Sequence, residues 1–320
     1  MSRKITSLVL AVVMLLSLLP LSGCGDDEKD NTANYPVEVS NVKFVSAPSG
    51  VVCYSSTFIG IIYAMGYQKQ LIGRTANCDY SEAEEIRAFG TADNPSIDLI
   101  KGNPVDVVLT DETMPQSSLE KIEAENVPVV VIPKATGRAS MVEMYGAIGA
   151  VFQGGNKGYN RGRDIANGIF SQLDDIARLV EEEEVWNTSV ILSSDLGTFA
   201  TGDTLISTVL ECAGGFNVAK DSENGEYSLS DLMRSDPDVI LCPFGVEQRL
   251  RAKSSLVGVP ALDNFRVYEM DMTVFDDQYQ GVLKGAWRMA KILHPEVITD
   301  DVIPDGMIDA EEDDEGVFLD

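Results

Sequence analysis

The chain is poorest in the groups that metal, acid–base and polyanion chemistry require. It carries one histidine, His294, in 320 residues. A histidine-rich transition-metal site is therefore excluded, and any histidine-dependent catalytic triad would have to recruit that single residue. Lys and Arg number 24 against 51 Asp and Glu, a formal net charge of −27. Phosphate backbones and anionic lipid headgroups select basic faces, so this balance argues against both as partners. The five cysteines contain no CxxC pair, the commonest zinc spacing. No apolar run approaches the roughly 20 residues of a membrane-spanning helix. The most apolar stretch, Leu8–Leu19, is broken by Ser17 and stopped by Pro20.

What remains is the composition of a globular protein. Hydrophobic residues make up 44% and aromatics 7%, too apolar for a disordered chain. The length suits two domains or one bilobed body. Residues 1–23 read as an export signal, with Arg3 and Lys4 as the positive start and Leu8–Leu19 as the apolar middle. Leu21-Ser22-Gly23-Cys24 resembles the lipobox of bacterial lipoproteins, which implies cleavage before Cys24 and acylation of its thiol. An acylated cysteine anchors a protein stably to a membrane. Residues 24–34 are polar and aperiodic, a tether of about 17 Å as a random coil. Cys53, Cys78, Cys212 and Cys242 lie in or beside apolar segments and are expected to be buried free thiols, although four cysteines in an exported chain also allow two disulfides.

The body alternates strands and helices twice. Val51–Tyr54, Leu71–Gly73, Val105–Leu109 and Val127–Ile132 read as strands, the last two as runs buried on both faces. Helical spacing marks Phe58–Met65, Asp98–Lys101, Ser117–Ala124 and Met141–Phe152. Gly154, Gly155, Gly158 and Gly162 interrupt the pattern, and an amphipathic helix then runs from Asp164 to Glu184. Strands resume at Val190–Leu192, Val239–Cys242 and Val267–Met270, with helices at Thr204–Cys212, Leu229–Arg234 and Tyr279–Leu293. The expected architecture is α/β: two doubly wound lobes, 35–155 and 187–298, joined by one long rigid helix within 156–186. An acidic tail, 299–320, follows.

Several segments in this order resemble the substrate-binding lipoproteins of ABC importers for cobalamin and iron siderophores or haem. Val52-Cys53-Tyr54-Ser55-Ser56-Thr57-Phe58 through Tyr63-Ala64-Met65-Gly66 is similar to the family's first strand, loop and helix. Asn77-Cys78-Asp79-Tyr80, Pro104–Val108, Gly202–Ile206 with Ala213–Ala219, and Asp236–Ile240 continue the match. The resemblance implies a ligand cleft between the lobes, against loops at the carboxyl ends of the strands, and little lobe movement on binding. It places the ligand against Tyr54, Ser55, Thr57, Asp79, Tyr80 and Thr113 in the first lobe, and Phe199, Phe244, Asp271 and Phe275 in the second. It further implies permease docking through carboxylates, here Asp98 and, in place of a serine-substituted position, Asp231.

The cleft loops contain acids and no Lys or Arg, so a neutral or cationic metal chelate is expected, a corrinoid before a hydroxamate siderophore or haem. Arg74, Arg87 and Arg138 are close enough in sequence to alter that charge. The resemblance implies no resident cofactor or catalytic residue, a monomeric body, and permease subunits as protein partners on the extracytoplasmic face. A sensor or adhesin on the same fold is the alternative, and an exported enzyme a more remote one. His294, at the end of the last helix, reads as a capping or surface residue.

Overall fold

A computed structural model describes residues 34–308 apart from Asp79. The signal segment 1–23, Cys24 with the tether to residue 33, Asp79 and the tail from residue 309 lie outside the described residues.

The described chain opens with an antiparallel hairpin, β1 (Val37–Val39) and β2 (Val42–Phe44). Its two turn residues, Ser40 and Asn41, both take positive φ, the geometry that matches the twist of a tight hairpin. This hairpin is absent from the sequence reading because its strands are only three residues long. Ser40 Oγ ties the turn to the Val131 carbonyl at 2.6 Å.

The first lobe is a four-stranded parallel sheet of β3 (Val51–Cys53), β4 (Leu71–Arg74), β5 (Val107–Thr110) and β6 (Val129–Val131), in the spatial order β4-β3-β5-β6. Val51 pairs with Leu71 on one side and Val107 on the other. Helices α1 (Ser56–Ala64), α2 (Ile97–Gly102) and α3 (Gln116–Glu123) connect them. The second lobe repeats the plan with β7 (Trp186–Val190), β8 (Gly215–Asn217), β9 (Val239–Cys242) and β10 (Val267–Glu269), ordered β10-β9-β7-β8. Read from its own first strand, each sheet has the same order, with a topological switch between the first and third strands. Strand β7 ends at Val190 where the sequence pattern starts one, because Trp186–Ser189 are polar or aromatic and mask its onset. Strand β8 has only Phe216 as a strand-like residue and escapes pattern recognition.

Between the sheets lies a helix pair, α4 (Arg138–Gln153) and α5 (Tyr159–Leu179), joined by one wide turn, Gly154–Gly158. The long linking helix thus starts five residues before Asp164, and Glu181–Glu184 fall beyond its end. The glycines that interrupt the sequence pattern have a packing role instead. A Cβ on Gly149 would stand 2.0 Å from the Gly158 carbonyl oxygen, and one on Gly162 would stand 2.0 Å from that of Tyr145. Only hydrogen at these positions lets the antiparallel backbones approach so closely. Across the pair, Arg138 forms an ion pair with Asp174 and lies over the Phe170 ring at 4.4 Å.

The remaining second-lobe helices are α6 (Leu205–Cys212), α7 (Leu229–Ser235), α8 (Glu247–Arg251), α9 (Pro260–Asp263) and α10 (Gln280–Leu293). One apolar core runs continuously from the inner face of the first sheet, through α1, α4, α5, α6 and α10, to the inner face of the second. Each sheet buries its outer face in a smaller cluster of its own. Cys53 and Cys242 are buried strand residues, Cys78 and Cys212 are half-buried, and all four thiols are free. His294 occupies the C-cap of α10 but is 5% exposed, not a surface residue. Among the described residues no helix is long and apolar enough to cross a membrane.

Two stability predictions follow from this packing. Gly162→Ala should cost about 1–3 kcal/mol by overpacking, whereas Gly168→Ala, on the same helix with nothing within 4 Å of its added methyl, should gain roughly 0.4–1 kcal/mol; chemical denaturation reads both. Burial lowers the His294 pKa against the opposing pull of Gly214 and Glu183. The folded state therefore binds fewer protons, and stability should fall as pH drops below about 6.5. The loss in that window should be smaller in His294→Gln.

Candidate functional site

A cavity of about 740 Å³ opens between the lobes. Its first-lobe wall lies where open α/β sheets place ligands, outside the carboxyl ends of the strands at the switch point. Tyr54–Thr57 follow β3, and Asp111 and Glu112 follow β5; both segments line the cavity, joined by Gly60, Asn77, Tyr80 and Lys134. The second-lobe wall comes from one short stretch of chain: Thr273, Val274, Asp276 and Asp277, then Gln280, Gly281 and Lys284 in the first turns of α10.

Local chemistry fixes each side chain. Ser55 is the N-cap of α1: its Oγ accepts the Phe58 N–H at 3.2 Å, while its hydroxyl donates to Asp111 Oδ2 at 2.7 Å. Asp111 also faces Lys134 Nζ at 3.5 Å. Thr57 Oγ1 donates to the Asp276 carbonyl at 2.6 Å, a direct bond between lobes. Asp277 accepts from the backbone N–H groups of Tyr279 and Gly281 at 3.0 and 2.9 Å, so its charge offsets the amino end of α10. The Tyr54 hydroxyl donates to the Phe89 carbonyl at 3.1 Å, and burial pushes its pKa upward. Burial, then the negative charges of Glu82 and Asp277, likewise hold Tyr80 protonated. Neither phenol is poised as a phenolate ligand at neutral pH.

The structure brings together Tyr54, Ser55, Thr57 and Tyr80 from the residues singled out in the sequence. Thr113 is exposed outside the cavity lining, and Asp79 lies outside the described residues. The second-lobe aromatics do not line the cavity. Phe199 is 1% exposed and packs edge-on against Tyr227 inside the second-lobe core. Phe275 is buried with its ring against Gly285. Phe244 projects into solvent from the turn after β9. Asp271 caps the turn Met272–Asp276 by accepting from Thr273, and it borders a smaller recess of about 210 Å³ beside the main cavity.

The charge of the lining also differs from expectation. Lys134 and Lys284 enter it alongside Asp111, Glu112, Asp276 and Asp277. Arg74 instead bonds the Ile86 and Thr75 carbonyls, Arg138 is held by Asp174, and Arg87 is not in the lining. Lys134 lies three residues beyond the end of the edge strand β6, a position the strand-end rule could have flagged. Lys284, one turn into α10, carried no signal. Among the described residues no cluster of His, Cys, Asp and Glu could hold a metal ion.

A family model described as periplasmic binding protein matches residues 51–273. The chain belongs to the periplasmic binding protein family. No curated protein sequence matches it. Among solved structures, it is similar to a "possible" iron-binding, periplasmic solute-binding protein from Staphylococcus epidermidis, at TM-score 0.67 and 17% identity over 77% of this chain and 98% of that one. It is also similar to an Fe3+-hydroxamate transport protein from Saccharomonospora viridis, at TM-score 0.62 and 17% identity over 82% and 99%. The vitamin B12 binding protein BtuF of Vibrio cholerae matches at TM-score 0.59 and 16% identity over 77% and 96%. At these identities the likeness is one of fold, and it extends over most of each chain.

The placement of the aromatics separates stability from binding. Phe199→Ala should cost about 3–5 kcal/mol of folding stability and leave ligand affinity unchanged. Tyr80→Ala should weaken binding with little effect on unfolding, as read by titration and denaturation of the same proteins.

Proposed function

We propose that the chain is the extracytoplasmic binding component of an ABC importer, tethered by acylated Cys24. It would capture a neutral or cationic metal chelate and pass it to permease subunits. A corrinoid is the favoured ligand and a ferric hydroxamate the second. The observation that carries this reading is the electrostatic make-up of the interlobe cavity: four carboxylates, two lysines, and Lys134 already facing Asp111. A polyanionic ferric catecholate would need a concentrated set of cations to offset its desolvation. Haem suits the site poorly, because its broad apolar faces would meet few aromatic walls and neutral phenols. A hydrogen-bonding rim of Ser55, Ser56, Thr57, Asn77, Thr273 and Gln280 fits a ligand edged with amides or hydroxamates.

Docking to the permease is assigned to Asp98, which is exposed in the first turn of α2. Asp231 is a weaker partner, because its carboxylate already accepts from Ser228 and pairs with Arg234 in the cap of α7.

Calorimetric titration with cyanocobalamin, a ferric hydroxamate, a ferric catecholate and haem tests the ligand class. Binding of either of the first two supports it; tight binding of the catecholate without corrinoid affinity overturns it. Asp98→Lys should abolish uptake in membrane vesicles while leaving ligand affinity intact, and unchanged uptake would refute the docking assignment.

A further inference from the structure

The base of the cleft is closed by a side chain that does not itself line the cavity. Gln278 is 5% exposed. Its Oε1 accepts the Ala135 N–H at 2.8 Å, and its Nε2 donates to the Ala135 carbonyl at 2.8 Å. Its own carbonyl accepts the hydroxyl of Tyr145, a fully buried residue of α4, at 2.8 Å. Three buried hydrogen bonds therefore join the second-lobe turn to the first lobe and to the helix pair. A primary amide presents a donor and an acceptor side by side, so matching both polar groups of one backbone residue fixes separation and tilt together.

The neighbours of the clamped residues give it meaning. Ala135 directly follows Lys134, and Gln278 directly follows Asp276 and Asp277; all three charged residues line the cavity from opposite lobes. We propose that Gln278 is a specificity-determining residue. By clamping Ala135 it sets the gap between the Lys134 wall and the Asp276–Asp277 wall, and so selects among chelates of equal charge but different bulk. This rests on reading the cavity as a chelate site. Without the amide, the Ala135 N–H and C=O would be buried and unpaired, which the walls relieve only by separating until water enters.

The test uses the full chain carrying Gln278→Met, which keeps the side-chain length and removes both polar contacts, and the milder Tyr145→Phe. Amide hydrogen exchange at Ala135 should accelerate by about tenfold in Gln278→Met, the factor expected for a lost buried hydrogen bond. X-ray scattering should show a larger radius of gyration. The affinity ratio between cyanocobalamin and the smaller, equally uncharged dicyanocobinamide should move by about tenfold toward the larger ligand. Tyr145→Phe should move each readout in the same direction by less. Faster exchange with an unchanged ratio, or an unchanged radius of gyration, overturns the proposal. If the unmodified protein binds neither corrinoid, the corrinoid reading fails, while exchange and scattering still decide whether Gln278 holds the lobes.

Discussion

The close backbone contact within the central helix pair is the constraint on which the remaining structure depends. Gly149 meets Gly158, and Gly162 meets Tyr145, at distances that admit no side chain. That contact turns two helices into a single thick strut with an apolar face toward each sheet. Phe170, Leu173 and Ile176 of α5 are buried in the core that both inner sheet faces share. The core has no boundary at the lobe junction, so bending there would have to open packed apolar contacts. Resistance to bending at the junction would therefore come from this shared packing as well as from the linking helix.

The cleft inherits its position from that strut. The first sheet presents its switch point, and the second lobe answers with the turn that follows β10 and the start of α10. The contacts that cross the floor, Thr57 to Asp276 and Gln278 to Ala135, are polar and directional. Packing sets the coarse separation, and hydrogen bonds set the fine one. The cavity walls above that floor are dominated by hydroxyls, amides and carboxylates, chemistry that suits a ligand carrying its own polar rim.

The sequence made the architecture legible because buried parallel strands announce themselves. Val51–Cys53, Val107–Leu109 and Val239–Cys242 are unbroken apolar runs, and each is a strand with every residue buried. The glycine-rich stretch around Gly154–Gly162 was harder, because glycine serves both to break helices and to let them touch. Site residues divided along a similar line. Tyr54, Ser55 and Thr57 sit where a recognisable strand gives way to a recognisable helix, with Ser55 as its cap, so their placement follows from local rules. Phe199, Phe244 and Phe275 belong to matching loops and have a suitable residue type, but neither says which face of a loop looks inward. Lys284 reaches the cleft only because α10 is aimed at it, and Gln278 reaches Ala135 only because the turn before α10 meets the first lobe, facts of tertiary geometry with no local signature.

Both sheets share one strand order, yet they contribute unequally to the opening between them. The first lobe offers several separated loops, whereas the second offers a single contiguous segment from Thr273 to Lys284. The second-lobe chemistry of the opening is thus encoded in one short stretch of chain, and the first-lobe chemistry in several. Because Gln278 within that stretch also bonds Ala135 and Tyr145, the same few residues write both the composition of one wall and its distance from the other.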